Sequence, residues 1–176
     1  MQYKDSVSFN VDHENMDTGI YLSRTDVVGN EKVVTIDLRL RAPYKHVVLT
    51  PEEMHSFEHT FSTAVREVFN KEGKVTPIYV GPMGCATGFY IVLGTGETDN
   101  QPFISQETIT YLLDNLYIAV ERARAMKHIP ANERKRCGNI WTLHEGAAKQ
   151  VAREAKEIIW EAMYMNKFHE YKYLEE

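Results

Sequence analysis

The fold class follows from residues 75–93, which read VTPIYVGPMGCATGFYIVL. Val75–Val80 and Thr87–Leu93 are rich in β-branched and aromatic residues, which favour strands. The glycines and the proline of Gly81–Cys85 predict a tight turn between them. Two strands joined without a helix pair antiparallel, so these residues predict an α+β fold with a mainly antiparallel sheet.

A third strand is predicted upstream, at 33–41, where apolar and polar residues alternate. A period of two is typical of a half-buried strand with one face toward the core and one toward water. Asp37 and Arg39 share the polar face of this strand. We therefore expect both charged side chains on the face of the sheet that points away from the core.

Three long helices are expected to cover this sheet. The first begins with Thr50 as N-cap, Pro51 in the first turn and Glu53 completing a capping box, and runs to about Asn70, with Gly73 as a stop nearby. Its apolar residues recur at helical spacing and form one core-facing stripe. The stripe consists of Met54, Phe57, Phe61, Ala64, Val65 and Val68.

The second and third helices follow downstream. A loop over 94–101 precedes a helix from Ser105 to about Lys127, and the last helix runs from about Glu145 to Phe168. A polar loop that carries Cys137 joins them. Together with the length of 176 residues, this order predicts a single domain over 1–176.

Composition excludes several classes of protein. The 20 basic and 25 acidic residues give a net charge of −5, which is the wrong sign for binding a nucleic-acid backbone. No apolar run approaches the roughly 20 residues that span a bilayer, and residues 1–10 are polar, unlike a signal peptide. We therefore expect a cytoplasmic protein without a nucleic-acid or membrane partner. In a reducing compartment, its two cysteines are expected to act as thiols rather than as a disulfide.

A metal site is indicated by the spacing of His55 and His59 in the sequence HSFEH. Residues four apart lie on one face of a helix, so both imidazoles can reach one ion. Glu58 falls on the shoulder toward the apolar stripe, where a partly buried carboxyl group is suited to exchange protons. A third ligand is needed, and Cys137, followed by Gly138, is the strongest candidate. The alternatives are a solvated polar helix face for the histidines and a small buried apolar side chain for Cys137.

Five blocks of sequence stand out together: SFNVDH at 8–13, DLR at 37–39, HSFEH at 55–59, GPMGCATGFY at 81–90 and CG at 137–138. In combination they resemble one family, the S-ribosylhomocysteine lyases, which are LuxS-type synthases of the autoinducer-2 precursor. The resemblance implies that His55, His59 and Cys137 bind a divalent metal, natively Fe²⁺ and often Zn²⁺, with Co²⁺ as a further possibility. It also implies a homodimer with active sites at the interface, and no organic cofactor.

The activity implied by the resemblance is cleavage of the thioether of S-ribosylhomocysteine to homocysteine and 4,5-dihydroxy-2,3-pentanedione. Carbonyl migration and β-elimination need acid–base groups, which would be Cys85 and Glu58. Arg39 would support catalysis by favouring the Cys85 thiolate, and would bind substrate together with Ser8 and His13. In this arrangement the metal and Cys85 come from one subunit, and Ser8, His13 and Arg39 come from the other.

Two alternatives remain at this point. The HSFEH motif is also typical of a class of metallopeptidases, in which a downstream glutamate is the third ligand. A catalytically silent metal-binding homologue is the second alternative, and its hints are Ala86 and Tyr79, where the family usually has a long polar residue and an aspartate. The presence of both Cys85 and Glu58 favours an enzyme.

Overall fold

The structure, a computed structural model, describes residues 7–71, 73–98, 101, 103–165 and 168–173. Five strands form one sheet, and three helices cover one of its faces. The strands are β1 (Gly19–Val28), β2 (Glu31–Arg39), β3 (Thr76–Pro82), β4 (Gly88–Gly94) and β5 (Phe168–Glu170). The helices are α1 (Pro51–Phe69), α2 (Gln106–Ala125) and α3 (Glu145–Tyr164), with short 3₁₀ turns at Val7–Asn10 and Ile140–Thr142.

The strand order across the sheet is β3-β4-β2-β1-β5. Three of these pairings are antiparallel, and β5 alone runs parallel to its neighbour β1. The predicted α+β class and the mainly antiparallel sheet are therefore confirmed. None of the helices in the described ranges combines the length and the apolar composition that crossing a bilayer requires.

Helix α1 begins as predicted. The Thr50 hydroxyl accepts a hydrogen bond from the Glu53 amide at 3.2 Å, and the Glu53 carboxylate accepts one from the Thr50 amide at 2.8 Å. This capping box fixes the first residue of the helix. One turn later, Phe57 stacks on Phe61 at 4.9 Å and meets the edge of Phe89 at 5.1 Å. The contact with Phe89, which lies on β4, packs α1 and its histidines against the sheet.

Some boundaries differ from the sequence predictions. β1 and β5 were not predicted, because β1 is interrupted by a bulge between Leu22 and Arg24 and β5 is only three residues long. The last helix ends at Tyr164 instead of Phe168, which lies in β5, and residues 166–167 fall outside the described residues. Of the predicted loop over 94–101, residues 99 and 100 also lie outside them.

The prediction that β2 is half-buried is wrong for the strand end that carries Asp37 and Arg39. The two side chains are 0% and 1% exposed, although they lie on the face opposite the helices. That face is covered by a small second cluster of Val11, Met16 and Tyr171, formed by the chain segments before β1 and after β5. The alternation of apolar and polar residues cannot reveal that this face is covered, because a buried ion pair gives the same sequence pattern as a solvent-exposed one.

Candidate active site

A cluster of three potential metal ligands lies at one side of α1. The ligand atoms of His55, His59 and Cys137 all lie within 4.8 Å of one another, and Cys137 Sγ is 3.4 Å from His55 Nε2. In a tetrahedral centre, a metal–nitrogen bond of about 2.0 Å and a metal–sulfur bond of about 2.3 Å place the nitrogen and the sulfur about 3.5 Å apart. The donor set and this separation fit one divalent ion.

The orientation of the two imidazole rings leaves the same nitrogen available on each. His59 Nδ1 lies 2.7 Å from the Pro130 carbonyl oxygen, which can only accept, so Nδ1 carries the proton. His55 Nδ1 lies 2.7 Å from Thr142 Oγ1, whose own proton is donated to the Asn139 carbonyl. Both Nε2 atoms therefore keep a free lone pair, as ligands of a metal require.

The loop after α2 is held against α1 by further polar contacts. The Ser56 hydroxyl donates to the Thr142 carbonyl at 3.2 Å and accepts from the His144 amide at 2.8 Å. Sequence reasoning missed Ser56, Thr142 and Pro130, because nothing in their local sequence links them to residues 71 to 88 positions away.

Cys137 is buried, and its sulfur accepts a hydrogen bond from the Asn139 amide at 3.4 Å. The thiolate is the form of cysteine that binds metals. Burial, and then the neighbouring His59, lower the pKa of His55 and favour its neutral form. The third potential ligand in this cluster is a cysteine. The metallopeptidase alternative, in which the third ligand is a glutamate, is therefore not favoured.

Glu58 lies beside this cluster. Its side chain is 29% exposed, which agrees with the expected partial burial, and its Oε2 is 3.8 Å from His59 Nε2. The carboxyl group thus reaches the region around the ligand nitrogens while one part of it contacts water. This is a suitable position for a group that exchanges protons.

A second group of residues surrounds Cys85, in the turn between β3 and β4. Arg39 Nη1 lies 3.8 Å from Cys85 Sγ and 2.5 Å from Thr87 Oγ1, and the sulfur is 2.9 Å from the same hydroxyl. Cys85 is exposed, whereas Arg39 is buried. The guanidinium group therefore provides a fixed positive charge beside an accessible thiol.

The backbone of this turn is tightly constrained. Ala86 adopts a positive φ of 56°, a conformation that costs energy for a residue with a Cβ atom. At Gly88, an added Cβ would lie 2.3 Å from the Leu38 carbonyl oxygen. The close approach of β4 to β2 at Gly88 positions Cys85 over Arg39.

Ser8 and His13 lie in the chain segment before β1. Ser8 lines a cavity of about 280 Å³ together with Tyr79, Tyr90 and Tyr171. His13 Nδ1 lies 2.8 Å from the Val11 carbonyl, and the His13 side chain is close enough to Asp37 to interact with it electrostatically. Both predicted substrate-binding residues are thus near the Arg39 side of the sheet, and neither is part of the His55 cluster.

Comparison with known proteins adds to this geometry. Residues 7–165 match the family S-Ribosylhomocysteinase (LuxS). This chain belongs to that family.

Relatives named S-ribosylhomocysteine lyase agree with this match. The protein from Finegoldia magna is 34% identical over 152 residues, covering 86% of this chain and 89% of the relative. The protein from Clostridium acetobutylicum is 33% identical, and the match covers 75% of this chain and 77% of the relative. The protein from Borreliella burgdorferi is 31% identical, and the match covers 77% of this chain and 80% of the relative. The LuxS family implies a divalent metal, for which the His55, His59 and Cys137 cluster is compatible.

Within one chain of this LuxS protein, the two groups of residues are separate. Among the described residues, no hydrogen bond or ion pair links Cys85 or Arg39 to the metal cluster. The expectation that Cys85 and Arg39 come from different subunits is wrong, because their side chains are in contact within one chain. The sequence could not reveal this contact, because Arg39 and Cys85 are 46 positions apart.

Proposed function

We propose that this chain cleaves S-ribosylhomocysteine to homocysteine and 4,5-dihydroxy-2,3-pentanedione. The observation that carries the proposal is the cluster of His55, His59 and Cys137 in a chain of the LuxS family, with Glu58 beside it. The relatives' common name, S-ribosylhomocysteine lyase, supports the same substrate. We infer that the product is the precursor of autoinducer-2.

The chemistry sets what the residues must do. The carbon beside the one that bears sulfur is not next to a carbonyl group, so its proton is not acidic, and the carbonyl must first move along the sugar by two enolisations. Loss of a proton from the carbon next to the migrated carbonyl then expels homocysteine thiolate. Protons are moved and one carbon–sulfur bond breaks, without net oxidation, so no organic cofactor is needed.

Each residue has a role that follows from its position. His55, His59 and Cys137 would hold one divalent ion through two nitrogens and one sulfur. When bound, the ion supplies Lewis acidity to the oxygen atoms of the substrate. Glu58, beside the cluster, would carry protons to and from those oxygen atoms.

Cys85 would move protons between sugar carbons as a thiolate. The guanidinium group of Arg39, 3.8 Å away, stabilises the negative charge of that thiolate. We propose that Arg39 also binds substrate together with Ser8 and His13, which lie on the same side of the sheet. The native metal is proposed to be Fe²⁺, with Zn²⁺ or Co²⁺ as substitutes, because imidazole and thiolate ligands suit all three.

A complete site requires the Cys85 group and the metal cluster to meet, and we propose that they meet across the interface of a homodimer. Their separation within one chain supports this arrangement. Large apolar side chains are exposed beside each group: Phe9, next to Ser8, is 71% exposed, and Trp141, next to Thr142, is 78% exposed. Exposed apolar surface of this kind is typical of a protein interface. The two free thiols are consistent with a reducing compartment, and we propose the cytoplasm.

The test is anaerobic loading of the protein with Fe²⁺ or Co²⁺, followed by incubation with S-ribosylhomocysteine and a thiol assay for homocysteine. We expect release of one thiol per substrate molecule, and no release by Glu58→Gln or Cys85→Ala at equal metal content. Carbon NMR should show a keto intermediate accumulating with at least one of these variants. Fully loaded wild-type protein that releases no homocysteine would overturn the proposal.

A further inference from the structure

A buried hydrogen-bond network begins at Tyr171, which follows β5 and lies beyond residues 7–165 that match the family. The Tyr171 hydroxyl donates to Asp37 Oδ2 at 2.7 Å, and Arg39 Nη2 donates to the same oxygen. The three side chains are 8%, 0% and 1% exposed. The network thus connects the end of the chain to the arginine beside Cys85.

The pairing of Asp37 with Arg39 uses one oxygen and one nitrogen. Asp37 Oδ1 and Arg39 Nε have no hydrogen-bond partner among the described residues, although both atoms are buried. Arginine and a carboxylate commonly pair through two parallel hydrogen bonds, which would use these atoms. Tyr171 fixes the carboxylate through Oδ2, and the guanidinium group is left with Nη1 directed at Thr87 and Cys85.

Electrostatics support a neutral, donating tyrosine at this position. Burial, and then the charge of Asp37, raise the pKa of Tyr171, so its proton is retained. Burial also raises the pKa of Asp37, while Arg39 and the Tyr171 hydrogen bond oppose that rise. This network also interacts with other ionisable groups, namely Tyr21 on β1, Tyr90 on β4, His13 before β1 and Cys85 itself.

The segment that carries Tyr171 is docked at both ends. On one side, Phe168–Glu170 pair with Ile20, Tyr21 and Leu22 of β1. On the other side, Tyr173 forms an isolated bridge with Val11, and the Tyr171 and Tyr21 rings lie 5.9 Å apart. Tyr171 is therefore held in place by backbone pairing on either side of it.

We propose that Tyr171 is a positioning residue that, through Asp37, directs the Arg39 guanidinium group toward Cys85. This proposal rests on the proposed function for the role of Cys85. Without the Tyr171 hydroxyl, the carboxylate is free to turn and pair with Nε and Nη2 of Arg39. The positive charge then moves away from the sulfur, and the thiolate is formed at higher pH.

The test compares Tyr171→Phe with Tyr173→Phe in the metal-loaded protein. Tyr173→Phe is a matched control, because it makes the same chemical change two residues away, where the hydroxyl lies 3.4 Å from the Ser23 carbonyl. Alkylation of Cys85 by iodoacetamide is followed by mass spectrometry as a function of pH, since Cys85 is exposed and Cys137 is buried. Steady-state kinetics with S-ribosylhomocysteine provide the second readout.

For Tyr171→Phe we expect the midpoint of the alkylation profile to rise by about one pH unit, which lowers the thiolate fraction near neutrality about tenfold. kcat should fall with it, and by a larger factor than KM rises, because Ser8 and His13 are unchanged while the Arg39 guanidinium group turns. Tyr173→Phe should match wild type in both measurements. A wild-type profile and kcat for Tyr171→Phe would overturn the proposal.

A second variant guards against a folding defect. If Tyr171→Phe melts below the assay temperature, Asp37→Asn, which keeps the shape of the carboxyl group, is measured by alkylation instead and should also shift the midpoint. An unchanged midpoint would overturn the proposal. A shifted profile in a protein that releases no homocysteine would contradict the proposed function and leave the role of Tyr171 in place.

Discussion

The Thr142 hydroxyl oxygen lies 2.7 Å from Nδ1 of His55, across 87 positions of sequence. This oxygen accepts a hydrogen bond from Nδ1–H, because the Thr142 hydroxyl donates its own proton to the backbone carbonyl of Asn139. This contact orients one ligand of the candidate metal centre and selects its tautomer, although Thr142 is not one of the candidate ligands.

Replacing Thr142 by valine should therefore weaken metal binding without removing a ligand. We expect a loss of about 10- to 100-fold in affinity, since the ring is no longer oriented through Nδ1. Competition with a chromophoric chelator measures this. Thr63→Val, which removes a hydroxyl that donates to the backbone carbonyl of His59 on the same helix, is the control and should bind as wild type. Equal affinities for the two variants would contradict the role of Thr142.

Metal content should depend on His55, His59 and Cys137 and not on Cys85. Replacing any one ligand by alanine leaves two, which are too few for a stable tetrahedral site. We expect His59→Ala and Cys137→Ala to purify with much less metal, while Cys85→Ala keeps the wild-type amount. Elemental analysis is the measurement, and full occupancy in Cys137→Ala would remove that residue from the site.

Mixed dimers should show how the site is divided between subunits. If each site combines the metal cluster of one chain with the Cys85 group of the other, a dimer of Cys137→Ala with Cys85→Ala has one site with both defects and one intact site. Its activity should be about half that of wild type, by the symmetry of a two-fold dimer.

The matched control for this experiment is a dimer of Cys85→Ala with Arg39→Ala. These residues belong to the same group, so each site carries one defect and activity should not return. Recovery of activity in this control would show that the metal cluster and the Cys85 group do not meet across the interface as proposed. The absence of activity in the dimer of Cys137→Ala with Cys85→Ala would show the same.

Replacing Gly88 by alanine should destabilise the protein. The new Cβ would lie 2.3 Å from the Leu38 carbonyl oxygen, and the two strands can separate only by disrupting their pairing. We expect a loss of about 1–3 kcal/mol in the free energy of unfolding, measured by urea denaturation. Gly84→Ala in the same turn, where an added Cβ has no neighbour within 4 Å, should have little effect. Similar losses for both variants would contradict this explanation.

Stability should fall in acid because of Glu97. Burial acts to raise the pKa of Glu97, but hydrogen bonds from Thr108, Lys32 and Ser105 outweigh it and lower the pKa from 4.5 to about 2. The folded state therefore binds fewer protons than the unfolded state between these values. The contribution is fully present above pH 4.5 and is lost as the pH falls toward 2.

The measurement for Glu97 is the free energy of unfolding as a function of pH. Glu97→Gln should be less stable than wild type at pH 7, because Lys32, which is 1% exposed, loses its carboxylate partner. The difference should shrink from about pH 4.5 downward. Glu31→Gln, at the exposed start of β2, serves as control and should show no such pH-dependent difference. A constant difference for Glu97→Gln at all pH values would contradict the assignment.

Local sequence determined much of this protein. The capping residues at Thr50 and Glu53, the apolar stripe of α1 and the turn that carries Cys85 each act through neighbours only a few positions away. The same holds for His55 and His59, whose spacing places both rings on one helix face. For this reason the α+β class, the helices, three of the five strands and the histidine pair could be predicted.

Tertiary structure alone decided which of these local features meet. The orientation of His55 by Thr142, the contact of Arg39 with Cys85 and the cover of Asp37 by Tyr171 join positions that are 87, 46 and 134 residues apart. Such contacts depend on how whole helices and strands pack, so they cannot be predicted from a residue's neighbours along the chain. The alternation in β2 predicted the strand, but only the docking of the chain end against β1 made its polar face a buried one.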